Sequence, residues 1–299
     1  MTVLTGVLPI LPTIFAANGA LDETGTRRVL EDVIASGAQG VVFPGLASEY
    51  EHLTSEERLL MTARLGEWIG GRLPFVIGAS SASGDDAVRY ATAAARAGAA
   101  AVMVLTPHAL AQDLDAMAAF YARIAESSGL AVMLQNAPPP MGVGLALERV
   151  AELARAVPGI RSVKEEAPPS GQRITRLTQL AGDALDAVYG GAGARHLMDE
   201  LARGAQGTMP ACEIAGLHVA MVDAWHDGQE DKARLLYERT LPLLTMQAVF
   251  RWRLTKAVLL RRGLIGSDFT RAPGPALDAQ DMRELDVMLV RLKDLLPWV

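Results

Sequence analysis

The chain has one cysteine, Cys212, among its 299 residues. A disulfide framework within the chain is therefore excluded, and a Cys/His zinc site is disfavoured. Cys212 follows Met209-Pro210-Ala211 with no histidine beside it, so it reads as a packed residue rather than a reactive thiol. No stretch reaches the ~18 apolar residues of a membrane span. The apolar start, Met1–Phe15, has no basic n-region and carries Pro9 and Pro12. It reads as a first strand, not a signal peptide, and a cytoplasmic protein without a membrane partner is expected. A clustered basic surface is missing too: the net charge is −6 and the pI about 5.5. Nucleic acid is not an expected partner. The one dense basic run, Arg261-Arg262 after Lys256, suits the C-terminal end of a helix, where cations complement the dipole. No Gly-x-Gly-x-x-Gly turn follows the first strand, and no segment is of low complexity.

What is present is alternation. Half of the residues are hydrophobic, and short apolar runs take turns with helix-like segments. Gly6–Leu11 precedes a helix over Glu23–Ser36. Gly40–Phe43 precedes Ser55–Ile69, where Thr54-Ser55-Glu56-Glu57 has the form of an N-cap with acids in the first turn. Pro74–Ala79 precedes Asp85–Ala97, Ala100–Leu105 precedes Asp113–Ser127, and Leu130–Leu134 precedes Leu145–Ala156. Ile160–Pro168 precedes Gly171–Leu180, and Leu185–Tyr189 precedes Ala194–Arg203. Gln206–Met209 is the last strand. Uniformly apolar strands are buried on both faces, as in a parallel sheet. Eight such units, without the dinucleotide-binding turn, favour an α/β TIM (β/α)8 barrel over an open doubly wound sheet. Past residue 211 only helices remain: Gly216–His226, Glu230–Leu260 and Asp278–Leu296, with Pro242, Gly263 and Pro273-Gly274-Pro275 as breaks. The expected organisation is a catalytic barrel over 1–212 and a C-terminal helical extension over 213–299.

The chain is organised around Ile160–Pro168, Ile-Arg-Ser-Val-Lys-Glu-Glu-Ala-Pro. Strand side chains alternate faces, so Ser162, Lys164 and Glu166 share one side. An amine and a carboxylate then point into one space. A lysine placed so can lose its charge, attack a ketone and form an imine. The plainer alternative is a surface Lys–Glu pair at a strand end. Barrels carry their reacting groups at the C-terminal ends of strands. Those ends are Thr13, Gly45–Glu49, Thr106–His108, Gln135-Asn136, Lys164–Glu166, Gly190-Gly191 and Thr208–Pro210, which favours the functional reading of Lys164.

Three stretches carry a resemblance. They are Leu11-Pro12-Thr13-Ile14-Phe15; Gly45-Leu46-Ala47-Ser48-Glu49 followed by Leu53-Thr54-Ser55-Glu56-Glu57-Arg58; and Val163-Lys164-Glu165. In this order and spacing they resemble the dihydrodipicolinate synthase / N-acetylneuraminate lyase family of Schiff-base-forming class I barrels, over nearly the whole chain. The chain departs from that pattern in instructive places. Gln135-Asn136-Ala137-Pro138 stands where the family usually has Tyr-Asn-x-Pro, so a proton-relaying phenol becomes an amide that cannot titrate. No arginine stands near Pro140-Met141, where the synthases bind their aldehyde substrate. His108-Ala109 replaces a Tyr-Tyr pair, and Leu46 and Ala47 replace two threonines. These departures argue against lysine biosynthesis. They fit the L-2-keto-3-deoxyarabonate dehydratase-like subgroup. So do Lys164–Gly171, Glu200–Pro210 and the late Lys256–Arg271 stretch.

The resemblance implies a lyase acting on a small-molecule 2-keto acid through a covalent imine at Lys164, with no metal or other cofactor. The preferred reaction is dehydration of a 2-keto-3-deoxy sugar acid. Glu166 is the candidate for the proton transfers, because Gln135 can only orient. Gly45, Leu46, Ala47 and Ser48 are expected to hold the substrate carboxylate through backbone N–H groups and the Ser48 hydroxyl. Gly190 and Gly191 allow close approach of the backbone to substrate, and His108 is a lining residue. Each has a plainer role: Glu166 as charge partner of Lys164, Ser48 as a turn cap, Gln135 as a backbone tie, Glu49 as an acceptor for backbone donors. The alternative activities are a pyruvate-dependent aldolase using the same imine and a catalytically silent 2-keto-acid-binding barrel. The family implies a homotetramer, and loss of the Tyr-Tyr pair leaves the assembly mode, tetramer or dimer, open.

Overall fold

Turn residues and capping side chains cut the apolar runs into short pieces, and the pieces close on themselves. The computed structural model describes residues 3–295. The strands are β1 (Gly6–Val7), β2 (Val41–Phe43), β3 (Phe75–Gly78), β4 (Ala101–Leu105), β5 (Ala131–Asn136), β6 (Ile160–Glu165), β7 (Ala187–Tyr189) and β8 (Gly207–Thr208). The helices that follow them in turn are α1 (Glu23–Ala35), α2 (Ser55–Ile69), α3 (Gly84–Arg96), α4 (Leu114–Ser128), α5 (Leu147–Ala156), α6 (Ser170–Ala181), α7 (Leu197–Ala202) and α8 (Ala215–His226). Then come α9 (Glu230–Phe250), α10 (Trp252–Arg261) and α11 (Ala279–Leu292).

Strands β2 to β7 pair in parallel in chain order, and β1 pairs with β8. Parallel bridges from Ile10 to Val42 and to Ala211, and from Gly190 to Thr208, close the ring. The result is the expected TIM barrel with C-terminal helices. Leu8, Ile10, Val42, Val76, Met103 and Met133 fill its interior. A second layer packs the outer strand faces against the helices, with Val102, Leu134 and Val163 against Leu65, Ile124 and Leu177. Each such side chain, once fully buried, is worth about 1.5–3 kcal/mol.

Helix starts follow the local sequence closely. Thr54 accepts the Glu57 N–H at 3.1 Å while Glu57 accepts the Thr54 N–H at 2.9 Å, so α2 starts on a capping box. Asp22, Ser83, Asp113 and Asp278 cap α1, α3, α4 and α11 in the same sense. Losing such a cap costs about 1 kcal/mol.

The expected break at Pro242 is not there. Pro242 lies inside α9 on an exposed face. The carbonyl its ring leaves without an N–H donor can turn to water, while Leu243 and Leu244 stay buried. The break falls instead at Arg251, whose φ is 50°. Helix α7 also begins later than expected, because Ala192–Ala194 form a left-handed turn first. Leu296, the expected end of the last helix, lies outside the described residues, as do Met1 and Thr2. No helix among the described residues is long and apolar enough to cross a membrane.

Candidate active site

Strand β6 delivers the central pair. Gln135 of β5, Lys164 of β6 and Tyr189 of β7 share one rung of the sheet. Alternation turns Val163 and Glu165 toward the helices and Lys164 into the barrel, where it is 1% exposed. Lys164 Nζ lies 2.9 Å from Glu166 Oε1. The other carboxylate oxygen, Oε2, accepts Gln135 Nε2 at 2.7 Å, and the Ala192 N–H reaches Oε1 at 3.4 Å. Burial pushes the Glu166 carboxyl up, but Lys164, Gln135 and Ala192 together outweigh it and hold it below the ordinary carboxylate range. The phenol on the same rung is turned away: Tyr189 donates its hydroxyl to Leu4 O, at 2.6 Å, toward the opposite end of the barrel.

A cavity of about 280 Å³ opens in front of this pair, walled on one side by Leu46 and Ala47. As the first two residues of a 3-10 turn, these carry N–H groups with no intrahelical acceptor. The Ser48 hydroxyl is placed differently from the sequence expectation. It donates to Leu11 O and accepts the Gly45 N–H at 2.9 Å, so it ties the loop together. Thr13 Oγ1 holds the Ser48 carbonyl from the first strand end. Gly190 and Gly191 also have protein neighbours where substrate was expected. A Cβ on Gly190 would stand 1.9 Å from Glu200 Oε2, and one on Gly191 would stand 2.6 Å from Glu166 Cγ. Their lack of a side chain makes room for two buried glutamates. His108 is exposed and lines a neighbouring cavity of about 440 Å³, separated from Lys164 by Pro140 and Met141.

Behind the site, the rung Asn136–Glu165 carries a network the sequence reading did not single out. Asn136 Nδ2 donates to Glu165 Oε2 at 2.7 Å, and Arg173 Nε donates to Glu165 Oε1 at 2.9 Å. Asn136 also exchanges two bonds with the Leu145 backbone, pinning the far end of the Pro138–Gly144 loop. Burial pushes the Glu165 carboxyl up even against Arg173. The signal was available in the alternation: residues next to Gln135 and Lys164 must face the other way, and a buried acid there needs partners. Glu200 is a third buried acid. Ser170 donates to its Oε1 at 2.6 Å, Oε2 has no hydrogen-bond partner among the described residues, and burial raises its pKa to about 7.

Two arginines complete the cavity, and local pattern gave no sign of either. Arg195 follows Ala192, Gly193 and Ala194, whose φ values are 50°, 66° and 61°. Arg251 sits at its own left-handed break between α9 and α10. A residue with a side chain held in such backbone costs on the order of 1–3 kcal/mol, and it persists where the surroundings impose it. Both side chains line the same cavity as Lys164.

Comparison with known proteins places this geometry. The profile of the dihydrodipicolinate synthetase family matches residues 3–292. The chain is 30% identical over 298 residues to L-2-keto-3-deoxyarabonate dehydratase of Azospirillum brasilense, covering 98% of this chain and 96% of that protein. It is 32% identical over 225 residues to 4-hydroxy-tetrahydrodipicolinate synthase of Stenotrophomonas maltophilia K279a, covering 72% and 75% of the two chains. Among solved structures it superposes, with a TM-score of 0.89 and 25% identity, on YagE of E. coli K12 in complex with pyruvate. That match covers 98% of this chain and 99% of the other. With the profile running almost from end to end and the barrel shared, the chain belongs to the dihydrodipicolinate synthetase family and is one of its lyases.

Proposed function

We propose that the protein dehydrates a 2-keto-3-deoxy sugar acid through an imine at Lys164. One observation carries this reading. A lysine buried at the C-terminal end of a barrel strand lies 2.9 Å from a buried carboxylate and opens onto a cavity. Glu166 can take the ammonium proton, and the neutral amine then adds to the C2 ketone with loss of water. The iminium draws electrons from C3. Glu166, an anion at rest, removes a C3 proton to give the enamine. The enamine expels the C4 hydroxyl as water once Glu166 returns the proton to that oxygen. Loss of a C5 proton and gain of one at C3 shift the new C3=C4 double bond to an enol at C5, which becomes the C5 carbonyl; hydrolysis then consumes the water released at the start and frees Lys164, so one water is lost overall. No metal or nicotinamide enters, because the iminium is the electron sink. The free N–H groups at Leu46 and Ala47 hold the substrate carboxylate.

Similarity to the Azospirillum dehydratase over nearly the full length supports dehydration. So does the cavity lining, which holds no phenol. Cleavage to pyruvate and an aldehyde is the second reading, favoured by the likeness to YagE in complex with pyruvate. Product analysis separates them. With 2-keto-3-deoxyarabonate, dehydration gives a ketoacid semialdehyde. Pyruvate detected by coupled lactate dehydrogenase would move the assignment to the aldolase. Borohydride trapping read by intact mass tests the imine itself.

A further inference from the structure

The turn that offers Leu46 and Ala47 to the cavity is made by one part of the chain and held by another. Two 3-10 turns, Leu46–Ser48 and Tyr50–His52, meet at Glu49. The Ser48 N–H donates to Gly45 O at 2.9 Å within the first, and the His52 N–H donates to Glu49 O at 2.8 Å within the second. Neither bond crosses the junction. Leu11 and Thr13 hold Ser48, on the near side of it. The Glu49 backbone therefore sets the angle at which the first turn meets the second. Its φ is 56° and its ψ 36°, left-handed in a residue that carries a side chain. Such backbone relaxes unless its surroundings impose it.

The imposing contacts come from far along the chain. The buried Glu49 carboxylate accepts Lys256 Nζ on Oε1 at 2.5 Å, and the Arg271 and Ala272 N–H groups on Oε2, both at 2.8 Å. Lys256 also donates to Phe269 O at 2.8 Å, so one ammonium joins the junction to the C-terminal segment. The Arg271 guanidinium extends the grip. It donates to both Glu57 carboxylate oxygens at 2.7 Å, to His52 O at 3.0 Å and to Gly19 O at 2.9 Å. One segment thus holds the junction, the end of the second turn and the start of α2. Building on the reading that Leu46 and Ala47 bind the substrate carboxylate, we propose that Lys256 and Glu49 are positioning residues for that turn and that residues 267–272 are its brace. The C-terminal extension then sets the affinity for the carboxylate through the turn. The coupling is reciprocal: a bound carboxylate tightens the brace as the brace tightens the turn.

Pyruvate is the probe, because it offers a ketone and one carboxylate. The quantity measured is the pyruvate concentration that half-saturates borohydride labelling of Lys164. Lys256→Met should raise it on the order of tenfold, as for weakened hydrogen bonds to a charge, with labelling still complete at saturating pyruvate. Turnover should show KM raised and kcat near the wild-type value, the mark of lost uniform binding. Arg271→Gln leaves the buried pair in place and covers the case in which Lys256→Met does not fold; it should raise the half-saturating concentration about threefold or more. Unchanged half-saturation in the folded variants, or a fall in kcat at unchanged KM, would overturn the proposal. A second arm needs no imine. Without ligand, amide hydrogen exchange across Leu46–Ser48 should quicken in the folded variants by more than in strands β4 and β5. If pyruvate with borohydride leaves the wild type unlabelled, the imine reading falls and this exchange decides the brace: quickening confined to the turn keeps it, and none overturns it. Where the wild type does label, the trapped protein should exchange the Arg271 and Ala272 amides more slowly than the free protein. Unchanged exchange there overturns the coupling.

Discussion

Two buried lysine–glutamate pairs lie near the same end of the barrel, and they differ in what surrounds them. Lys256 of α10 donates to Glu49 Oε1 at 2.5 Å and to Phe269 O at 2.8 Å, and its ammonium stands 4.5 Å from the centre of the Phe15 ring. Glu49 Oε2 accepts the N–H groups of Arg271 and Ala272, both at 2.8 Å. This pair clamps the segment between α10 and α11 onto the loop after β2. Lys164 has only Glu166 as a polar partner among the described residues, and it faces a cavity. The residue types and the burial are the same. A lysine saturated with partners is a fastener, whereas one left open toward a cavity can meet a ketone. Burial pushes the Lys256 ammonium pKa down against the pull of Glu49, so in a lysine saturated with partners a lowered pKa is a mark of burial.

The sharpest way to break this contrast is to remove Lys164. Lys164→Ala should bring turnover to background and end covalent labelling by pyruvate with borohydride. Peptide mapping of the wild type should place the label on Lys164 alone. A label on Lys256 would reverse the contrast. Next in size is Glu166→Gln, which keeps shape and removes the proton carrier. Turnover should fall roughly 10²–10⁴-fold while the borohydride label still forms. Full activity in that variant would reduce Glu166 to a charge partner.

Removing the fastener should act on stability instead. Lys256→Met leaves Glu49 buried with its two N–H donors but without the ammonium in contact with it. Breaking a buried pair on one side typically costs about 3–5 kcal/mol. Urea unfolding should show a loss of that order, and the folded fraction should still label at Lys164. Labelling lost at unchanged stability would show that Lys256 belongs to the chemistry.

Glu200 shows what a buried carboxyl becomes with no lysine in contact. Its pKa rises to about 7, chiefly from burial. The native state therefore keeps a proton that the unfolded chain releases above its ordinary pKa of 4.5. The sign follows from linkage: this contribution to stability is complete below that value and is lost as pH rises through about 7. Glu200→Gln should gain stability relative to wild type between pH 5 and 8, by about 3 kcal/mol at most. A difference that does not change with pH would mean that Glu200 is ionised in the native protein.

Much of this arrangement was legible from local pattern. Thr54 and Glu57 mark the start of α2 because a capping box is a four-residue event. Lys164 and Glu166 share a face because strand side chains alternate. What was hidden depends on distant contacts. Glu49 meets Lys256 across 207 residues of chain, and no periodicity encodes that. Pro242 looked like a break because its exposed setting cannot be read locally, and Arg251 did not because nothing in its own sequence requires a left-handed residue. Ser48 could be placed in its loop, but not the direction of its hydroxyl, which Leu11 decides from the neighbouring strand.

The smallest effect tests how Glu166 itself is held. In the Lys256 pair, backbone N–H groups fix the second carboxylate oxygen. In the Lys164 pair a neutral side chain does it, with Gln135 Nε2 at 2.7 Å from Oε2. An amide cannot carry a proton, so its part is to aim Oε1 at Lys164 and keep Glu166 ionised. Gln135→Ala should therefore cost about one neutral hydrogen bond, ~1 kcal/mol or about fivefold in turnover. Because Gln135 helps to lower the Glu166 pKa, the acid limb of the pH–rate profile should also move upward in the variant. Gln135→Glu should do more harm, since a second carboxylate beside Glu166 raises one of the two pKa values. A loss in Gln135→Ala as large as that in Glu166→Gln would mean that the amide touches the reacting atoms.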